Sequence, residues 1–195
     1  MRGYLASLVL VLGASVGVAQ DMPLFTFAKL GAKWEQVWDK AGPRAAAVPP
    51  AGVPGAVTAL SKDGATVYAG YADRAAVWAY PVKPDGKPDL TAGAPYAPLR
   101  IVEGYDNSRE VREKRLKYPP TLAVTALIWD PAGRLYAGTS QGIQVFDPTG
   151  RLCGVLPLPK PGTVKGISWN AEGGTGGIST LYIDLGGITW QREMR

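Results

Sequence analysis

Histidine is absent from this 195-residue chain. Its absence excludes a Ser-His-Asp triad, a Cys-His dyad and any zinc site held by imidazole. Acid–base chemistry would have to come from Asp, Glu, Lys, Tyr or a metal-bound water. Cysteine is nearly absent too. Cys153 stands alone in an apolar run, so no internal disulfide can form, and a small buried hydrophobe is the reading that fits. Charge is sparse, with 21 Lys and Arg against 16 Asp and Glu and a net charge of +5. Five of the 21 basic residues fall in one short segment, Arg109 to Lys117, and the rest are scattered rather than lined along a helix face, which argues against nucleic-acid binding. Beyond the N-terminus no stretch is apolar enough to cross a bilayer. Glycine lacks the strict period of three that collagen requires.

Turn-forming residues, by contrast, are plentiful, with 25 Gly and 17 Pro. They are spread between short apolar runs, the pattern of many short strands joined by tight turns. The first residues carry a different signature. Arg2 precedes an apolar stretch from Leu5 to Val18, and Gly17-Val18-Ala19 supplies small residues before a cut after Ala19. We read residues 1–19 as a secretory signal peptide, with export to a periplasm, a cell surface or the medium and no membrane span after cleavage. An uncleaved anchor is the other reading, but the run is short for a full span.

Residues 20–56 form an irregular segment and linker, Ala/Pro-rich from Ala45 to Pro54. Leu24 to Phe27 alternates as a strand would. Trp34 to Trp38 suits either a short helix or a strand. From Val57 onward the chain repeats itself. Val57-Thr58-Ala59-Leu60 with Val67-Tyr68-Ala69-Gly70 returns as Val124-Thr125-Ala126-Leu127 with Leu135-Tyr136-Ala137-Gly138. A more divergent copy runs Val164-Lys165-Gly166-Ile167 and Leu181-Tyr182-Ile183-Asp184. A short-strand unit cannot bury a hydrophobic face alone, so repeats of it must stack.

The expected fold is therefore all-β, a partial propeller-like array of about three to four four-stranded antiparallel blades. Its units span 57–102, 124–159 and 164–195. A charged insertion, 103–120, reads as a solvated loop or short surface helix rather than a lid over an anionic ligand. Strands are expected at Val57 to Leu60, Thr66 to Gly70, Ala76 to Tyr80 and Leu99 to Val102 in the first unit. Those of the second run from Val124 to Trp129, Arg134 to Gly138, Ile143 to Phe146 and Leu152 to Leu156. Asp130-Pro131-Ala132-Gly133 and Asp147-Pro148-Thr149-Gly150 have type I turn chemistry. In the third unit only three strands are legible, and Leu24 to Phe27 is the expected donor of the fourth, since an unpaired edge is a liability. Trp78, Phe146 and Trp190 recur in the third strands and read as inter-blade packing.

The segment Asp130 to Pro159, DPAGRLYAGTSQGIQVFDPTGRLCGVLPLP, resembles a late blade of the gluconolactonase and regucalcin (senescence marker protein) β-propeller family. The resemblance extends from Val57 to the end of the chain. It implies a six-bladed propeller that hydrolyses sugar lactones with a divalent cation (calcium, zinc or manganese). The cation would be held by a Glu of the first blade, an Asn of a middle blade and an Asp that doubles as base. Carried over by position, the Glu has no visible counterpart, the Asn falls near Ala56 and the Asp near Tyr71. Asp73 is the nearest carboxylate, two residues away, and reaching the site would need a bulge because strand residues alternate faces. Asp184, at the end of the third unit's second strand, is the other weak ligand candidate, with a turn role as its competing reading. The glycine-rich stretch from Gly173 to Gly177, flanked by Asn170 and Glu172, lacks the ending of a phosphate cradle. Two functions follow: an exported sugar-lactone hydrolase of gluconolactonase type, active or degenerate, or a non-catalytic propeller module for binding or assembly. A homo-oligomer in which a second copy completes the ring is the partner that a partial array suggests.

Overall fold

Short strands separated by turn residues organise into three four-stranded antiparallel sheets in the computed structural model, which describes residues 26–29, 31–38, 52–101, 122–170 and 179–195. Residues 1–19, read above as a signal peptide, the expected linker up to residue 51, the insertion 103–120 and the glycine-rich stretch lie outside the described residues.

Blade 1 consists of β2 (Ala56–Leu60), β3 (Thr66–Tyr71), β4 (Ala76–Pro81) and β5 (Ala94–Pro98) in that order. The fourth strand is therefore not Leu99 to Val102 as expected. Pairing of Ala76 with Pro98 and Trp78 with Pro95 places it earlier. Proline cannot donate to a ladder, but β5 is an edge strand and loses nothing there. Blade 2 is β6 (Val124–Trp129), β7 (Leu135–Thr139), β8 (Gly142–Phe146) and β9 (Leu152–Leu156), close to the expected bounds.

Blade 3 is β10 (Val164–Asn170), β11 (Ser179–Leu185) and β12 (Ile188–Met194), completed by β1 (Glu35–Gln36). An N-terminal segment does supply the fourth strand, through the Trp34 to Trp38 stretch; of the expected donor Leu24 to Phe27, Leu24 and Phe25 lie outside the described residues. Glu35 pairs with Gln191 and Gln36 with Trp190, and the Val37 N–H donates to the Thr189 carbonyl at 2.9 Å. The upstream piece runs alongside, with a bridge from Ala28 to Met194 and an Arg195 N–H to Phe27 carbonyl bond of 2.7 Å.

The sheets stack face to face, β2 and β3 of blade 1 against β6, and β6 and β7 of blade 2 against β10. One core, including Leu127, Leu135, Ala137 and Phe146, lies between blades 1 and 2. The next, including Tyr136, Ile143, Val145, Ile167, Leu181 and Ile183, lies between blades 2 and 3. Glycine permits the close approach. A Cβ built on Gly70 would sit 2.4 Å from Val124 Cγ1, and one on Gly138 would sit 2.9 Å from Val164 Cγ1. The outward face of blade 3 is different. Alternation from the buried Leu181, Ile183 and Leu185 puts Thr180, Tyr182 and Asp184 on it, and the register adds Ser168, Thr189 and Gln191, all half-buried.

Candidate functional site

Antiparallel alternation sends the second-to-third-strand turns of all three blades to one end of the stack. They are 72–75 in blade 1, 140–141 in blade 2 and 186–187 in blade 3. Both sequence candidates for metal ligands lie at this end, Asp73 on blade 1 and Asp184 on blade 3, with blade 2 between them. Asp73 is exposed in its loop. The Asp184 carboxylate accepts the Gly187 N–H at 2.8 Å, closing the two-residue turn Gly186–Gly187 between the paired Leu185 and Ile188. Its turn role is thus accounted for locally.

The two positions to which the resemblance assigns an Asn and an Asp face each other, since Ala56 and Tyr71 are cross-strand partners. In blade 2 the same pair is Val124 and Thr139, and in blade 3 it is Val164 and Leu185. None of these brings a carboxylate or an amide oxygen. Among the described residues no three His, Cys, Asp or Glu side chains gather. These residues do not fit the oxygen-rich shell that a hard divalent cation requires.

What occupies the Tyr71 position is a cationic and aromatic cluster. The Arg74 guanidinium sits 3.8 Å from the Tyr71 ring centre and 4.5 Å from that of Trp78. The Tyr71 and Tyr80 hydroxyls are 2.6 Å apart, and Arg74 Nη1 reaches the Tyr80 hydroxyl at 3.4 Å. Burial, then the hydrogen bond to Tyr80, pushes the Tyr71 phenol up to about 12. A base at neutral pH needs a much lower value, so Tyr71 serves here as a neutral packing and hydrogen-bonding group.

A second side chain was not legible beforehand. Gln144, fully buried, donates through Nε2 to the Arg100 carbonyl at 2.8 Å and accepts the Arg100 N–H at 2.8 Å. It thereby fastens the segment leaving blade 1 to blade 2. The register corrects the expected tryptophan repeat. Trp78 faces Ala69 and Trp190 faces Ile183, but Ala137 faces Gln144, while Phe146 lies two residues further along. The only sequence signal was one amide inside the otherwise apolar strand Gly-Ile-Gln-Val-Phe.

At the opposite end, the first-to-second-strand turns are held by aspartates. Asp130 accepts the Arg134 N–H at 2.9 Å, Arg134 Nε at 2.5 Å and the Tyr136 hydroxyl at 3.2 Å. Asp63 accepts Ser61 Oγ at 2.5 Å and the Ala65 N–H at 3.0 Å, and these donors hold its carboxyl below the usual range. Asp147 holds the corresponding third-to-fourth-strand turn through Thr149 and Arg151. The turn readings of Asp130 and Asp147 thus agree with the geometry. Cys153 packs against the blade 2–3 core, and burial raises its thiol pKa.

The chain's fold is similar to that of a gluconolactonase from Xanthomonas campestris, at 20% identity and a TM-score of 0.50, over 71% of this chain and 37% of that one. A second solved structure, inferred to be a gluconolactonase, aligns at 18% identity and a TM-score of 0.47, over 71% of this chain and 38% of its own. The chain therefore spans little more than a third of the length of the proteins it matches. No family model matches it, and no curated protein does either. Fold and comparison together define an all-β array of propeller-like blades, similar in fold to part of a gluconolactonase.

Proposed function

We propose that this chain is an exported, gluconolactonase-like propeller segment that works as a binding or assembly module rather than as a hydrolase. The observation that carries the proposal is the facing pair Ala56 and Tyr71. It replaces the ligands that the resemblance calls for with a methyl group and with a phenol under an arginine. The nearest carboxylate, Asp73, is exposed, and Asp184 is engaged by its own turn.

The second reading, a sugar-lactone hydrolase using calcium, zinc or manganese, draws on the fold likeness to gluconolactonases. A titration separates the two. A metal that binds only the native state, at about 100 times its Kd, stabilises by about 2.7 kcal/mol, or several degrees in Tm for a chain of this size. The module reading expects no rise in Tm at millimolar metal and no acceleration of gluconolactone opening. A metal-dependent rise accompanied by faster opening would establish the hydrolase. Export rests on residues 1–19. Sequencing the N-terminus of the secreted protein checks it, with Gln20 expected first.

A further inference from the structure

The Tyr71 and Tyr80 pair holds one proton more than the cluster can use. The two hydroxyls are 2.6 Å apart, so one donates to the other and the second O–H is left to donate elsewhere. Arg74 cannot take that proton up, because its Nη1 itself donates to the Tyr80 oxygen at 3.4 Å. Both rings are buried. Burial, then the hydrogen bond to Tyr80, pushes the Tyr71 phenol up to about 12, so Tyr71 keeps its proton at neutral pH. The Tyr80 ring is packed directly on Gly93, where a Cβ would fall 2.1 Å from Cε1.

The guanidinium beside the pair is held but not neutralised. The ring centres of Tyr71 and Trp78 lie 3.8 and 4.5 Å from it, within the reach of about 6 Å for cation–π attraction. Two rings and one hydroxyl thus fix its position, and Arg74 is only half-buried. Among the described residues no carboxylate forms an ion pair with it. Its remaining N–H groups, Nε–H included, are donors without an acceptor. A second arginine stands at the same end of blade 1. The Leu99 N–H donates to the Ala75 carbonyl at 2.8 Å, which sets Arg100 beside the 72–75 turn. Gln144 clasps the Arg100 backbone, and the residue is exposed. Asp73, exposed in the same turn, is the carboxylate closest in the chain. Two cations and one anion leave this end with a single net positive charge.

We propose that the cluster is an anion site, in which Arg74 and the spare phenol O–H bind the carboxylate of a small monovalent organic acid. A planar guanidinium matches a planar carboxylate through two parallel N–H donors. The single net charge is balanced by a monoanion. Rings that already hold the guanidinium lower the ordering cost of binding. The inference rests on the reading of this site as a binding surface and adds the class of ligand.

The test follows the Arg74 Nε–H signal by NMR in the intact chain, at mildly acidic pH, where that proton exchanges slowly and acetate stays ionised. Arg74→Lys assigns it. Sodium acetate is titrated into the millimolar range against sodium chloride and sodium sulfate at matched ionic strength. Expected is a saturable shift with acetate, a small one with chloride, and weaker binding of sulfate than of acetate. In Arg74→Lys, followed through the Trp78 indole N–H, the charge is kept and one charge-assisted hydrogen bond is lost, so acetate binds about tenfold more weakly. If that variant does not fold, the wild-type contrast between acetate and chloride decides alone. An unmoved Arg74 signal, an equal response to chloride, tighter binding of sulfate, or undiminished acetate binding in Arg74→Lys would each overturn the proposal. Such a failure leaves the module reading standing, because that reading is decided by the metal titration.

Discussion

Blade stacking depends on a methyl-sized margin that can be probed directly. Gly70→Ala places a Cβ 2.4 Å from Val124 Cγ1 and 2.6 Å from its Cβ. Rotating the valine moves its Cγ1 but leaves its Cβ in place, so the sheets must part. Overpacking of this kind costs about 1–3 kcal/mol, and the contact here is severe enough to place Gly70→Ala at the upper end. Gly138→Ala meets Val164 at 2.9 Å and Ile167 Cδ1 at 3.2 Å, a milder clash, and should cost about 1 kcal/mol. Gly166→Ala meets nothing closer than Asp184 Cβ at 3.9 Å. It should be neutral or stabilising by up to about 1 kcal/mol through the unfolded chain. Urea unfolding of the three variants reads the series. Pairing Gly70→Ala with Val124→Ala should recover part of the loss, because the clash is with that side chain, giving a coupling energy of about 1 kcal/mol. Strict additivity, or a Gly166→Ala loss equal to that of Gly70→Ala, would refute close blade stacking as the organising contact.

Replacing Gln144 by Leu leaves the Arg100 N–H and carbonyl without their protein partner. Part of that deficit is met by water, so the expected loss is about 1–3 kcal/mol in urea unfolding, and an unchanged midpoint would show that the fastening contributes nothing. Alkaline pH tests the Tyr71 cluster. Its phenol ionises near pH 10 when unfolded and near 12 when folded. The folded state thus binds more protons between those values, and the stability tied to Tyr71 is complete below pH 10 and declines as pH rises towards 12. A phenolate absorbance titration should lose one component near pH 12 in Tyr71→Phe. An unchanged curve would remove the assignment.

Much of the fold was legible because the turns carry the information. Asp130-Pro131-Ala132-Gly133 and Asp147-Pro148-Thr149-Gly150 have the positive-φ glycine and the aspartate that such turns use, at φ 79° and 82°, and they bracket the strands of blade 2 within a residue. The repeated tetrapeptide was less faithful than its letters. Val57 faces Gly70, but Val124 faces Thr139 and Ala126 faces Gly138, because the register shifts between Val124 and Ala126. Thr125 is the extra residue, and its hydroxyl donates to the Val164 carbonyl at 2.6 Å, a contact to another blade that no local pattern reveals. The outer strands misled for the same reason: β5 and β1 are edge strands with little apolar alternation, chosen by what they lie against. The site was harder still. Proximity of Tyr71, Arg74, Trp78 and Tyr80 is a product of register.

The same register bears on whether a second copy could complete a ring by stacking its blade on blade 3. Each internal interface presents a glycine of the second strand, Gly70 or Gly138, to the first valine of the following blade, at distances that leave no room for a Cβ. In blade 3 that place is held by Asp184, opposite Gly166. A blade stacked there as blades 2 and 3 are stacked would meet a side chain where none fits. It would also strip water from a carboxylate, at a cost of several kcal/mol unless a partner were supplied, and from Thr180, Thr189 and Gln191 beside it. Repeat arrays use such polar faces to end a stack. Blade 3 thus turns a polar face outward around Tyr182, and a copy stacking there as blades 2 and 3 stack would have to make room for Asp184 and supply partners for it.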